Sequence, residues 1–157
     1  MKASIPAASL AMLLIALLHV APVPAADAAA GSSSPIGFWK TFDDKTGKAR
    51  GIVQIYEQDG KLFGRIERSF TPGSEQRLCA LCTDERKNQP ILGLIIIRNM
   101  KSRDGEYAGG DILDPENGSV YRCRFHLDQD GTRLIVRGYV GISLLGRTQT
   151  WQRQSSL

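Results

Sequence analysis

Five dipeptides constrain this chain more than any other feature: Thr46-Gly47, Asp59-Gly60, Asp104-Gly105, Asn117-Gly118 and Asp130-Gly131. Glycine, asparagine and aspartate tolerate the positive φ that tight hairpin turns require. Three of the gaps between these glycines, 47 to 60, 105 to 118 and 118 to 131, are thirteen residues long. A gap of that length holds one strand of ordinary or slightly greater length, so the spacing predicts a meander of sequential antiparallel strands.

The segments between the turns carry strand patterns. The ranges 49–58 (ARGIVQIYEQ) and 61–68 (KLFGRIER) form the clearest hairpin, and 106–112, 119–127 and 133–140 form a second series. In 119–127, Tyr121, Cys123, Phe125 and Leu127 alternate with Arg122, Arg124 and His126, which separates an inner from an outer face. Adding 37–42, 91–98 and 147–153 brings the expectation to eight strands, and no stretch of the domain carries a helical period with caps. An eight-stranded meander closes on itself and so removes both sheet edges. At that size the interior either fills with side chains or holds one small ligand. A sandwich of the same strands is the alternative, but hairpin-by-hairpin connection favours an all-β, up-and-down antiparallel barrel. Glycines at 51, 64, 109, 110 and 138 fall within predicted strands, where they ease bending.

The N-terminus predicts export. Lys2 precedes an apolar run, LAMLLIALLHV over 10–20, interrupted only by His19. The run suits a signal-peptide core and is short of the ~20 residues that span a bilayer. Val23-Pro-Ala25 and Ala26-Asp-Ala28 both fit a small-x-small cleavage pattern. The expected organisation is a signal peptide over 1–26 with cleavage between 25 and 28, a flexible leader over 27–34, a barrel domain over 35–153 and a tail over 154–157. Such a protein is periplasmic or secreted, with no membrane span left after cleavage. The formal net charge of +4 is spread along the chain without a basic block interleaved with aromatics, so no nucleic-acid partner is expected.

The polar stretch TPGSEQRLCALCTDERKNQP over 71–90 interrupts the regular turn spacing and holds Cys79 and Cys82. Long loops in compact domains tend to be functional or covalently tied down. In an oxidising compartment the two thiols are expected to form a short-loop disulfide. A redox-active pair would need a helix N-terminus in a βαβ setting, which the flanking sequence lacks. Cys79, Cys82, Cys123 and His126 formally supply a Cys₃His zinc set. Positions 123 and 126, however, point to opposite faces of a strand, so no metal is expected; Cys123 either faces the core or pairs with another cysteine.

Histidine-based catalysis has little material, since His126 is the one imidazole left after export and its strand position faces solvent. Asp114-Pro-Glu-Asn-Gly118 reads as turn chemistry, and Gly141-Ile-Ser-Leu-Leu-Gly146 lacks the lysine of a phosphate loop. Neither a catalytic residue nor a cofactor is assigned. Polar groups at strand positions supply the candidate ligand-binding set: Arg65, Asp111, Tyr121, Arg137, Tyr139 and Arg147.

Gly37-Phe-Trp39 opens the first strand and Trp151-Gln-Arg153 closes the last. This pairing resembles the lipocalin and fatty-acid-binding superfamily, in which a tryptophan closes one barrel end beneath an arginine. The resemblance implies a structural closure by Trp39 with Arg153, or second Arg147, across its ring, a contact worth ~0.5–2 kcal/mol. More extensively, GFWKTFDDKTGKARGIVQIYEQDGKLFGRI, CALCTDERKNQPILGLIII, GGDILDPENGSVYRCRFHL and LIVRGYVGISLLGRTQTWQR resemble an exported bacterial family, domain of unknown function family 2147. What that resemblance implies is a lipocalin-like barrel in the periplasm or outside the cell, and it carries no catalytic residues. The functional expectation is a non-enzymatic barrel binding a small apolar or amphipathic molecule. The alternative is a periplasmic protein-interaction or inhibitor module that meets an envelope protein through the Cys79–Cys82 loop. A hollow interior favours the first, a packed one the second.

Overall fold

The computed structural model describes residues 32–142 and 144–157. The expected signal peptide, its cleavage region and the leader up to residue 31 lie outside the described residues. Eight strands follow in order: β1 (Gly37–Phe42), β2 (Ala49–Gln58), β3 (Lys61–Ser69), β4 (Ile95–Arg103), β5 (Glu106–Asp114), β6 (Ser119–Leu127), β7 (Arg133–Tyr139) and β8 (Gly146–Gln154). Each pairs antiparallel with its neighbours in sequence, and β8 returns to β1, so the sheet is a closed barrel. The closing seam matches Phe38 with Gln154, Trp39 with Arg153 and Lys40 with Gln152. A single 3₁₀ turn (Ser74–Gln76) is the one helical element among the described residues, and none is long and apolar enough to cross a membrane.

All five predicted dipeptides sit between strands. At Asp59-Gly60 and Asp104-Gly105 both residues have positive φ (52° and 71°, 50° and 82°), the geometry of a two-residue turn whose twist matches the strands it joins. At Asn117-Gly118 the cause is partly tertiary. Gly118 has φ 72°, and a Cβ there would lie 1.9 Å from the Leu81 carbonyl oxygen, so the cysteine segment rests on a backbone that only glycine supplies.

The fourth strand differs from its expectation. It begins at Ile95 and ends at Arg103, whereas the apolar run pointed to 91–98. Ile91 and Leu94 are buried, but Gly93 turns at φ 84° and the chain there pairs locally with Ile66, through Ile66 N–H to Leu94 O and Gly93 N–H to Ile66 O. At its other end the strand continues through Asn99, at φ 59°, into exposed Lys101, Ser102 and Arg103, whose polarity hid it. Ser32 and Ser34, assigned to a flexible leader, are held against the barrel by Arg153, and Pro35 is fully buried.

Segment 70–94 packs against β4 and the β5–β6 turn, and its Thr71, Arg77 and Ile91 reach the cavity lining. The disulfide joins Cys79 to Cys82, both buried, while Cys123 is a free buried thiol. Because two of its members are bonded to each other, the Cys₃His zinc set does not exist. Leu78 bridges Pro90, and Cys79 exchanges backbone hydrogen bonds with Gln89 and Asn88. Arg86, 5% exposed, grips Asp84 and donates to the Ile95 carbonyl, so the segment is fastened to β4 as well.

Candidate functional site

The barrel is closed at one end and hollow at the other. At the closed end Trp39 is completely buried, and its indole N–H donates to the Pro35 carbonyl at 2.8 Å. The guanidinium of Arg153 stacks over that ring, 4.3 Å from its centroid. It also donates to the carbonyls of Gly131 (2.7 Å), Ser34 (2.7 Å), Ile36 (3.2 Å) and Ser32 (3.3 Å). Burial lowers the Arg153 pKa and Asp128 opposes the shift, but an arginine stays charged at neutral pH. Leu62, Met100, Phe125 and Leu134 fill the space beside the tryptophan.

Toward the other end lies a cavity of about 380 Å³, within the range of small-molecule sites and near its lower limit. Its wall is mainly aliphatic, from Ile52, Val53, Ile66, Ile96, Ile112 and Val136, with Trp151 contributing an aromatic surface. The strand period puts Val53, Ile66, Ile112 and Val136 inside, since alternate residues share a face, and Ile52 and Ile96 join the wall where the register of β2–β3 and β3–β4 shifts. Glycine makes room at 138, where a Cβ would come within 3.3 Å of Ile112.

The mouth is polar and rich in arginine. Arg50, Arg68, Arg77 and Arg147 line it, with Asp114 and Glu116 as the lining carboxylates. Glu116 receives both Arg50 (2.9 Å) and Arg77 (3.0 Å), and Arg147 pairs with Asp44 at 2.5 Å. Arg68 is exposed and has no ion pair or side-chain hydrogen bond among the described residues. One polar chain runs down the wall: the Trp151 indole donates to Gln149 Oε1 at 3.0 Å, and Gln149 Nε2 donates to Asp44 Oδ1 at 3.0 Å. Asp44 thereby ties the β1–β2 turn to β8 above Lys40–Gln152, where the backbone pairing of the seam ends.

Of the six residues expected to bind ligand, Tyr121, Tyr139 and Arg147 line this cavity together. Arg65, Asp111 and Arg137 lie on the outer surface. Arg65 bonds Glu67 and Gln54 and stands over Tyr56. Asp111 accepts from Arg98 at 3.1 Å, within a network that includes Arg86, Asp84 and Glu85 and fastens the cysteine segment to β4 and β5. Arg137 donates to the Thr148 hydroxyl and the Leu144 carbonyl. The cause is register: Leu62, Gly64 and Ile66 face inward, as do Leu134, Val136 and Gly138, so residues 65 and 137 must face outward. Along β8, alternation from the buried Trp151 groups Gln149 and Arg147 with it, whereas on β3 the register shifts between Ile66 and Arg68, so the bulge rather than simple alternation sets where Arg68 lies.

In the network on the outer wall, the side-chain hydrogen bond from Arg86 holds the Asp84 carboxyl down to about 2, against the opposing cost of burial. Burial, with help from the negative charge of Asp111, pushes the Cys123 thiol up to about 12, so it is an inert packing group rather than a nucleophile.

A family model described as an uncharacterized protein conserved in bacteria (DUF2147) matches residues 37–153. No curated protein matches the chain. Among solved structures, the fold is similar to that of protein HP1028 from Helicobacter pylori, described as belonging to the lipocalin family. The likeness has a TM-score of 0.68 at 20% identity and covers 79% of this chain and 85% of that one. At that identity it establishes the fold alone, a lipocalin-like barrel. The chain belongs to the DUF2147 family.

Proposed function

We propose that this DUF2147 member is a non-enzymatic binding module, exported to the periplasm or beyond the cell, that holds one small apolar or amphipathic molecule inside its barrel. The observation that carries the reading is the cavity: about 380 Å³ of mainly aliphatic wall, open at one end onto arginines and two tyrosines. An apolar body would enter the barrel and displace water from that wall, the usual driving force at such sites. A polar or anionic head would stay at the mouth. There Arg68 offers donors not committed to another side chain, while Tyr121, on the inward face of β6, offers a hydroxyl group. The hollow interior also favours this reading over a protein contact through the cysteine segment. Export rests on the signal-like N-terminus alone.

Native mass spectrometry of protein purified from its own host, paired with titration of a fluorescent fatty acid, tests the proposal. A co-purifying small molecule and a saturable probe signal are expected. Val136 faces the cavity, so Val136→Phe should weaken probe binding by about tenfold or more through lost volume while leaving the barrel folded. Absence of both co-purifying ligand and probe response, or an unchanged probe affinity in folded Val136→Phe, would refute it.

A further inference from the structure

The turn between β7 and β8 carries an apolar surface that the barrel does not use. Val140, Ile142, Leu144 and Leu145 are 61%, 62%, 82% and 69% exposed. Three hydrogen bonds shape the described part of the turn: Val140 N–H donates to Leu145 O at 3.0 Å, Leu145 N–H to Ile142 O at 3.1 Å, and Arg137 to the Leu144 carbonyl. The turn stands at the cavity mouth, since Val140 and Leu145 are themselves part of its lining.

Behind this tip the outer wall carries a cluster of arginines. Arg122 is paired across the sheet with Tyr139, and Arg124 with Arg137, so three arginines stand together one to three residues below Val140. At ~3.3 Å per residue they lie within roughly 10 Å of the tip along the strand. Arg122 is exposed and has no ion pair among the described residues; its cross-strand partner on β5, Asp111, is engaged by Arg98 at 3.1 Å, and Arg124 has Glu106 at 3.7 Å. Arg147, at the start of β8, stands on the mouth side in its ion pair with Asp44.

We infer that this end of the barrel docks on the surface of an anionic lipid bilayer. The four aliphatic side chains enter the boundary between headgroups and acyl chains, and Arg122, Arg124 and Arg137 meet the lipid phosphates. Apolar groups in interfacial elements reach about 5–10 Å into that boundary, which sets basic groups ~10 Å behind them at headgroup level. A second copy of the chain is a poorer occupant, because two such faces would bring arginine against arginine. Docked this way the cavity opens toward the membrane, giving an amphipathic ligand a path that avoids bulk water. The inference goes beyond ligand binding and stands or falls separately from it.

The test uses the full chain carrying Leu144→Cys labelled with a polarity-sensitive fluorophore; Cys123 is buried and the other two cysteines are bonded, so the label reports the turn alone. Vesicles of equimolar phosphatidylglycerol and phosphatidylcholine should blue-shift the label and allow quenchers placed on the acyl chains to reach it. Adding Arg122→Ser and Arg124→Ser should weaken that binding by about thirtyfold, and salt should weaken it further. No blue shift would overturn the inference, as would equal binding to phosphatidylcholine alone or binding unaffected by the double arginine variant. A blue shift that grows with protein concentration without vesicles would assign the turn to a second copy instead. The fatty-acid titration in solution, run on the same protein, reads the cavity independently.

Discussion

Replacing Arg153 by alanine removes a guanidinium that serves four backbone carbonyls and one indole at the closed end of the barrel. The bonds to Gly131 and Ser34, both 2.7 Å and partly buried, dominate, because their acceptors lose a charged donor. With the cation–π contact included, and the two exposed bonds counted as little, the loss should be about 3–4 kcal/mol. For a domain of this size each kcal/mol moves Tm by about 3–5 °C, so a fall of about 10–15 °C is expected. Urea and thermal unfolding followed by tryptophan fluorescence suit the measurement, because Trp39 and Trp151 are both buried. Arg153→Lys keeps the positive charge but not the planar fork, and should recover less than half of the loss. A loss below about 1 kcal/mol for the alanine variant, as at an ordinary surface arginine, would refute the closure argument, and so would full rescue by lysine.

Gly118→Ala combines positive φ with a collision against the Leu81 carbonyl and should cost about 2–4 kcal/mol in chemical unfolding, whereas Gly105→Ala, with open space around it, should cost about 1 kcal/mol. The acid limb of stability should depend on Asp84. Its folded pKa of about 2 lies below the ordinary aspartate value of 3.8, so its contribution is present above about pH 4 and fades as pH falls toward 2. Asp84→Asn should therefore lower stability at neutral pH and flatten the pH dependence across that window; an unchanged acid profile would contradict the assignment. Alkylation at pH 8 should modify no cysteine in the folded protein without reductant, Cys123 alone in urea, and all three once reductant is added to urea. Three reactive thiols without reductant would disprove the disulfide.

Much of the barrel was legible because its determinants are local. Turn residues that tolerate positive φ mark where strands end, and alternation such as Tyr121, Cys123, Phe125 against Arg122, Arg124, His126 marks which face is buried. Trp39 and Arg153 could be singled out because first and last strands must meet in a closed barrel, and the seam sets them opposite each other. The fourth strand was misplaced because burial of Ile91 and Leu94 comes from a turn packed beneath the cysteine segment, and apolar composition alone does not distinguish that from a strand.

What the sequence determined by itself was a closed antiparallel meander with its turns in the right places, since a period of two and a preference for left-handed φ act over a few residues. Tertiary structure alone decided that the barrel is hollow, which depends on how side chains from eight strands fill a shared volume. It also decided that Arg68 and Gln149 face the cavity mouth while Arg65 and Arg137 face out. Register and closure are relations between strands distant in sequence, and a one-residue difference in pairing exchanges the two faces.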